Sequence, residues 1–247
     1  MLQGWELYLA VFGVGIFASF VGSISGGGGL ISIPFMILVG VPPQVAIASN
    51  KVGNIGKSFT SLFNYGKAGK VKHSYVLPLA LIALAASILG SKLLISLPAD
   101  IVEKATAILM LATLPTLLMS TKNAGLAKTT KWKRLVGGVL YFGLGIWQAF
   151  FGAGAVIVTY IVMMTFFGMT AIESNATHRI PTLVSNIVSL VLFAGAGIID
   201  WKIGGILFVA MVIGAYIGSS QALKRGEKFV KWFMVADVLL SSVKLLF

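Results

Sequence analysis

The sequence predicts an all-α polytopic membrane protein whose two inverted repeats bring broken or short helices together near the midplane of the bilayer. Composition is the first observation behind this prediction. The chain has 247 residues, of which 57% are hydrophobic and 11% charged, and its mean hydropathy is +0.97. Soluble domains carry about 25% charged residues, so this chain cannot cover a water-facing surface. The other two observations are interrupted apolar runs and an internal repeat.

Ten apolar segments follow one another along the chain, and most are long enough to cross hydrocarbon, which takes roughly 20 residues. Two of them, 29–40 and 155–168, are too short to cross comfortably as straight helices. Each follows a glycine-rich break, at 26–29 in one case and at 152–154 in the other. Whether these two segments span or re-enter is open at this point. The segments run over 5–23, 29–40, 44–65, 74–96, 100–120, 134–150, 155–168, 172–197, 202–222 and 229–247.

The second half of the chain repeats the first at an offset of 128 residues. Gly26 then aligns with Gly154, and the polar stretch at 48–51 aligns with the one at 176–179. Small apolar residues match by chance in any membrane protein, but a Ser/Thr–polar–basic match at the same depth does not. The predicted organisation is a first membrane repeat at 1–120, a basic cytoplasmic linker at 121–134 and a second membrane repeat at 135–247.

The distribution of charge predicts the orientation. Loops 66–73, 121–134 and 223–231 carry most of the 19 basic residues, so the positive-inside rule places them in the cytoplasm. Loops 97–100 and 198–202 are short and nearly neutral, which places them outside. Because the repeat equates the basic loop 66–73 with the second neutral loop, the halves are predicted to be inverted about an axis in the membrane plane. Both termini then lie outside.

Several functional classes are disfavoured by composition. The net charge of +12 follows membrane topology, so the expected partners are a lipid bilayer and a small anion, and not nucleic acid. The chain has no cysteine and only His73 and His178, so neither a disulfide nor a metal site is expected, and no cofactor is predicted. Residues 1–9 contain Glu6 and no basic residue, so the first apolar run is expected to stay as a helix.

Charged side chains within the apolar segments point to a binding site, because a charge at mid-helix costs about 2.5–3.5 kcal/mol. Lys51 and Arg179 occupy equivalent positions about seven residues into their segments, next to Asn50 and His178. Inverted repeats would bring these two stretches face to face near the midplane. Two cations with at most one nearby carboxylate, Glu173, would leave a positive cavity that an anion completes.

The glycine breaks fit the same cavity. A helix that begins after a break presents free backbone N–H groups and its positive dipole end, and glycine lets the backbone approach a ligand. A side-chain amide near the second break offers one more hydrogen bond, and two polar residues three positions beyond the cations would line the same space. These predicted substrate-binding residues are Gly26, Gly27, Gly28, Gly29, Gly152, Gly154, Gln148, Asn54 and Thr182.

Simpler interpretations stand beside these. Lys51 or Arg179 would also be tolerated if its side chain reached the membrane interface, His178 if it packed against a carbonyl, and the glycines if they formed a close-packed helix seam. Lys57 has Ser185 as its counterpart and therefore lacks the support of symmetry. It is interpreted as structural or as part of the cavity rim.

A glycine-rich motif follows the first helix as Gly22-Ser23-Ile24-Ser25-Gly26-Gly27-Gly28-Gly29. It precedes Pro34 and leads into Ala46-Ile47-Ala48-Ser49-Asn50. This pattern resembles the sulfite exporter TauE/SafE family of bacterial membrane permeases, over nearly the whole chain. The resemblance implies export of sulfite, sulfoacetate or a related small organosulfur anion through the bacterial inner membrane. The second half departs from the four-glycine run, so its half-site is expected to approach the ligand differently.

The sequence thus predicts a secondary transporter, and not an enzyme, that works by alternating access at a midplane cationic site. No nucleotide-binding motif is present, so the driving force would be a gradient or the membrane potential, with His178 and Glu173 as a candidate proton carrier. A channel-like anion pore, an intramembrane enzyme and a membrane subunit that needs a partner are the alternatives. The exact cargo, the coupling ion and the choice between monomer and homodimer are open.

Overall fold

The computed structural model describes residues 4–111, 129–152 and 154–246, and the described chain is helical and without strands. Glycine or proline residues stand at most of the turns between the helices. Gly226 interrupts the last helix with non-helical backbone at a φ of 79°. In chain order the helices are α1 (Gly4–Ile24), α2 (Gly29–Leu38), α3 (Pro43–Lys67), α4 (His73–Ser96), α5 (Ala99–Leu111), α6 (Lys131–Phe150), α7 (Ala155–Phe166), α8 (Ala171–Gly195) and α9 (Trp201–Leu246).

The all-α membrane fold is confirmed. Four helices, α1, α4, α8 and the part of α9 at Trp201–Ala236, are long and apolar enough to cross a bilayer. The outward face of α4 carries exposed leucines, including Leu77, Leu81 and Leu89, as contact with lipid requires. The two short predicted segments are helices of 10 and 12 residues. Helices of about 15 and 18 Å cannot cross hydrocarbon of about 30 Å by themselves.

The described helices follow the predicted repeat closely. Helices α3 and α8 each have 25 residues and begin and end at positions that differ by the offset read from the sequence. The turns before and after them are equivalent too, because Gly40 and Gly168 both have positive φ angles, as do Gly69 and Gly197. Positions 112–120, at the end of the first predicted repeat, and 121–128, in the predicted linker, lie outside the described residues.

The two halves exchange their packing partners. Helix α1 packs against α9, and its equivalent α6 packs against α4, the equivalent of the start of α9. In the same way α3 packs against α9 while α8 packs against α4, and α3 and α8 contact each other. Equivalent helices of the two halves therefore pack in equivalent ways, with α3 and α8 in contact between the halves.

Two equivalent hydrogen bonds define the relative direction of the central helices. The backbone N–H of Lys72, just beyond the end of α3, donates to Thr177 Oγ1 near the start of α8 at 2.9 Å. The backbone N–H of Asp200, just beyond the end of α8, donates to Ser49 Oγ near the start of α3 at 3.0 Å. Each helix therefore ends near the beginning of the other, so α3 and α8 run antiparallel. The inversion of the halves across a membrane stays a prediction.

Two of the basic loops, 66–73 and 223–231, lie at the same end of the molecule. Lys72 Nζ forms an ion pair with Glu173 Oε1 at 2.8 Å, and that hydrogen bond and charge raise the pKa of the Lys72 ammonium. Glu227 accepts from the backbone N–H groups of Ala171 and Ile172 at 2.9 and 3.0 Å. Loops 66–73 and 223–231 therefore both contact the first turn of α8, as a shared cytoplasmic face would require.

Labelling of introduced cysteines tests this orientation. The chain contains no cysteine, so each substitution is the single thiol of its variant. Lys70→Cys, Lys202→Cys and Lys228→Cys all lie at exposed positions. We expect an impermeant maleimide to label position 202 from outside intact cells and positions 70 and 228 only in inverted vesicles. Labelling of positions 70 and 202 from the same side would rule out the inversion, and the parent protein serves as the unlabelled control.

Candidate functional site

Polar residues lie at the centres of the two antiparallel helices. Each has 25 residues and is therefore about 37 Å long, which is enough to cross a bilayer. Asn54 on α3 and Thr182 on α8 are the twelfth residues of their helices, so they lie near the middle of each helix, which corresponds to mid-depth for a helix that spans the membrane. Polar side chains at this depth are expected to line a cavity or contact other protein rather than lipid.

A small polar cavity lies between the two glycine breaks. The free space inside it is narrow in this conformation, with room for about one or two water molecules. Five polar side chains in its lining are at least nine-tenths buried, so the space is largely shut off from solvent. None of the described residues in its lining is acidic. They are Gly26, Gly29, Lys51, Asn54, Lys57, Gln148, Gly152, Val156, Thr182 and Asn186.

Lys51 lies on this cavity, as the sequence predicted. Its side chain is 2% exposed, so it does not reach an interface. Its Nζ donates to the backbone carbonyl of Gln148 at 2.7 Å, in the last turn of α6, where the helix dipole places partial negative charge. A Cβ on Gly152 would lie 3.6 Å from the same Nζ. The ammonium therefore sits directly beside the second glycine break.

Arg179 is directed elsewhere, which corrects the expectation that it faces Lys51 across one cavity. Its Nη2 donates to the carbonyls of Gly22 and Ser23 at 3.3 and 3.2 Å, at the end of α1, and to Asn175 Oδ1. Arg179 is 2% exposed but is absent from the cavity lining. Lys51 thus binds the carbonyl end of α6, just before the second glycine break, and Arg179 binds the carbonyl end of α1, just before the first. Each of these cations contacts the half of the chain to which it does not belong.

Asn50 and His178 are also directed away from the cavity beside Lys51. Asn50 Oδ1 accepts from Ser32 Oγ on α2 at 3.0 Å. His178 Nδ1 lies 2.7 Å from the Tyr141 hydroxyl, and its Nε2 lies 3.2 Å from Gln148 Oε1. Glu173, the predicted proton partner of His178, is paired with Lys72 instead.

Lys57 is the second cation of the cavity, although symmetry gave it no support. Its side chain is 8% exposed, and a Cβ added to Gly22 would lie 3.6 Å from its Nζ. It follows Lys51 on α3 by less than two helical turns and therefore extends the positive lining toward the end of α1. Its counterpart Ser185 lines a second, smaller space beside His178.

The glycines of the breaks have two different roles. Gly26 has a φ of 93°, and a Cβ there would lie 2.7 Å from Val156 Cγ1, so the backbone of the first break rests directly on α7. Gly28 is a packing residue, since a Cβ would lie 2.2 Å from the carbonyl of Ala18 on α1. Only Gly26, Gly29 and Gly152 of the predicted glycines line the cavity; Gly27, Gly28 and Gly154 do not.

Two buried amides in the lining lack a hydrogen-bond partner. Asn54 Oδ1 and Asn186 Nδ2 are both buried and unpaired, although most buried polar atoms in proteins are satisfied. Asn186 was not predicted from the sequence. The signal for it was its spacing, because it follows Thr182 by one helical turn and so shares a face with it. The free Asn186 Nδ2 group could donate to a ligand oxygen, whereas the Asn54 Oδ1 atom is an acceptor that requires a donor.

A buried cavity lined by cations in a helical membrane protein is typical of membrane transport proteins. The comparison with known families identifies this chain further. Residues 11–245 match the model of the sulfite exporter TauE/SafE family, so the chain belongs to this family. Within the described residues, no group of three or more His, Asp or Glu side chains comes together as a metal site.

Curated relatives carry transporter names. The chain is 26% identical to a probable membrane transporter protein of Haemophilus influenzae, over 99% of this chain and 96% of the relative. It is 26% identical to the probable membrane transporter protein ORF9 of a Sinorhizobium species, over 98% and 93% of the two chains. It is 28% identical to the probable membrane transporter protein YfcA of Escherichia coli K12, over 96% and 88%. No solved structure matches the chain.

Proposed function

We propose that this protein is a secondary transporter, and not an enzyme, that exports a small sulfur oxyanion such as sulfite or sulfoacetate across the bacterial inner membrane. The observation that carries the proposal is the buried cavity, where Lys51 and Lys57 lie among described lining residues that include no carboxylate. The family description, sulfite exporter, supports the choice of sulfur anions.

The cavity lining offers positive charge and hydrogen-bond donors, and an anion is the ligand that would complement them. A charged side chain taken out of water loses its hydration energy and needs a compensating charge or several hydrogen bonds. Lys51 has one hydrogen bond to a carbonyl, which leaves further N–H donors for a ligand. Asn186 Nδ2 and the Thr182 hydroxyl add neutral donors on the opposite side. A compact anion with several oxygens would accept from all of them at once.

Alternating access would follow if the contacts between the halves could form and break at each end of the molecule in turn. At the basic end, loop 66–73 is tied to α8 by the Lys72–Glu173 ion pair. At the other end the equivalent of Glu173 is Val45 and the equivalent of Lys72 is Asp200, so the ion pair has no counterpart there. A cleft lined by Val45 and the loop at 197–202 lies at that end. We propose that the halves rock about the cavity, so that each end closes in turn.

The membrane potential would favour export. A cell interior that is negative expels anions, with about 2.3 kcal/mol per elementary charge for each 100 mV. A channel-like pore could use the same residues, so the proposal of a carrier needs a test of its own. A membrane subunit that acts only with a partner is the other alternative.

Flux measurements in liposomes test the proposal. We expect the purified protein to move sulfite or sulfoacetate, with thiosulfate and sulfate as comparison anions, and to show saturable flux that is accelerated by anion on the opposite side. Linear flux without such acceleration would indicate a pore. Absence of flux for every sulfur anion tested, from protein that is correctly folded, would overturn the proposed function.

A further inference from the structure

The buried imidazole of His178 is a titratable group beside the anion cavity that the proposed function does not use. It is 3% exposed and lines a separate small space with Tyr141, Gly145 and Ser185. Its ring packs edge-on against Tyr141 and Tyr160, with centroids 5.6 and 5.7 Å apart. Protonation of this enclosed ring would add one positive charge next to the anion cavity.

Gln148 connects this imidazole to the anion cavity. Its Oε1 lies 3.2 Å from His178 Nε2, its Nε2 donates to Thr182 Oγ1 at 3.4 Å, and its backbone carbonyl accepts from Lys51 Nζ. Gln148 is also the residue that lines both spaces. One residue therefore contacts the imidazole, a cation of the cavity and a polar group of the opposite wall.

The hydrogen bonds of His178 accommodate both protonation states. In the neutral ring, Nε2–H donates to Gln148 Oε1 and Nδ1 accepts from the Tyr141 hydroxyl. After protonation both ring nitrogens donate, and the Tyr141 oxygen then accepts from Nδ1–H. A rotation of the Tyr141 O–H bond is the only change required. Proton uptake therefore breaks no contact of the ring.

Nearby cations couple protonation of His178 to binding of an anion in the cavity. The charged groups that act on His178 are Arg179, next to it on α8, and Lys57 on α3, while Lys51 reaches it through Gln148. Tyr141 from α6 and Tyr160 from α7 are the titratable groups that face the ring. Burial and the charges of Arg179 and Lys57 disfavour a proton on this ring. An anion in the cavity would offset those charges, and by reciprocity a proton on His178 then strengthens anion binding.

We infer that His178 binds one proton when an anion occupies the neighbouring cavity, so that the anion and the proton cross the membrane together. This inference rests on the proposed function, since it requires an anion in that cavity. For a dianion such as sulfoacetate, one accompanying proton leaves one net negative charge. The membrane potential still favours export of that complex, while the pH gradient modulates it.

Calorimetric titration of the purified protein with sulfoacetate tests the inference. This ligand takes up no proton between about pH 6 and 8, the range in which histidine commonly titrates. Titrations in two buffers of different ionisation enthalpy give the number of protons bound per anion, and we expect about one in the pH range between the histidine transition of the free protein and that of the complex. There the Kd should rise about tenfold for each pH unit.

Variants assign the proton to its residue. His178→Gln is expected to take up about one proton fewer per anion than the parent and to show a correspondingly weaker dependence of Kd on pH, and His178→Asn is the second variant if the first does not fold. His73→Gln is the matched control, since His73 is the other histidine and is exposed, and it should keep the proton uptake of the parent.

The outcomes separate the two proposals. Anion binding by the parent protein without proton uptake, or unchanged uptake in His178→Gln, would overturn the role of His178 and leave the anion site intact. Failure of the parent to bind or transport any sulfur anion would overturn the proposed function, and the proton site with it.

Discussion

Replacement of Lys51 by alanine is expected to weaken anion binding by at least about 30-fold and to reduce transport to near the level of empty liposomes. The ammonium is buried and lies beside the second glycine break, where a ligand would replace the water it has lost. Removing one partner of a buried, hydrogen-bonded charge pair costs about 2–5 kcal/mol, and each 1.4 kcal/mol is a factor of ten in Kd. Calorimetry with sulfite or sulfoacetate measures the change.

Two controls separate binding from stability. Lys51→Met keeps most of the side-chain volume, so its effect reports the charge and the hydrogen bonds rather than a cavity. Lys92→Ala removes the same charge from an exposed position on α4 and should bind anion like the parent. If Lys51→Ala and Lys92→Ala bind and transport anion equally well, Lys51 has no part in the site.

The architecture was largely predictable because it depends on patterns that repeat along the chain. The offset between the halves predicted equivalent helices, and α3 and α8 coincide residue for residue at both ends. Glycine at equivalent turns carries information because positive φ angles favour this residue. The segments that were too short to cross are indeed short helices. Orientation in a membrane was inferred from charge alone, and it stays a prediction.

The hydrogen-bond partners of each buried cationic side chain were less predictable. The sequence shows two buried cations and few carboxylates, but it does not show that backbone carbonyls can accept from them. Lys51 and Arg179 both donate to carbonyls of the helix ahead of the opposite break, and Arg179 also donates to Asn175 Oδ1. A backbone acceptor leaves no residue-type signal, so pairing that depends on it is visible only in three dimensions.

Symmetry reasoning also has a physical limit at the site. It favoured Lys51 and Arg179 as a pair and gave Lys57 no support, because the position equivalent to Lys57 holds Ser185. A ligand that itself lacks two-fold symmetry cannot contact both halves in the same way. Residues that differ between the halves, such as Lys57 and Asn186, are therefore the ones expected to make the cavity specific, and both line it.

The close contact between α1 and α9 gives the second large effect, a loss of stability in Gly218→Ala. A Cβ at Gly218 would lie 2.2 Å from Ser23 Oγ and 2.4 Å from the carbonyl of Phe20, so α1 must move away. Overpacking of this kind costs about 1–3 kcal/mol, and the backbone carbonyl cannot yield as a flexible side chain would. We expect the midpoint of thermal unfolding in detergent to fall by several degrees.

Gly205→Ala is the matched control on the same helix. Gly205 is exposed and has no atom within 4 Å of an added Cβ, and alanine favours a helix over glycine by about 1 kcal/mol. Its unfolding midpoint should therefore stay the same or rise. Because Ser23 and Phe20 precede the first glycine break, displacement of α1 in Gly218→Ala should also disturb the carbonyl that holds Arg179. Equal midpoints for the two variants would show that α1 and α9 do not pack as closely as described, and would remove the support for a rigid break beside the anion cavity.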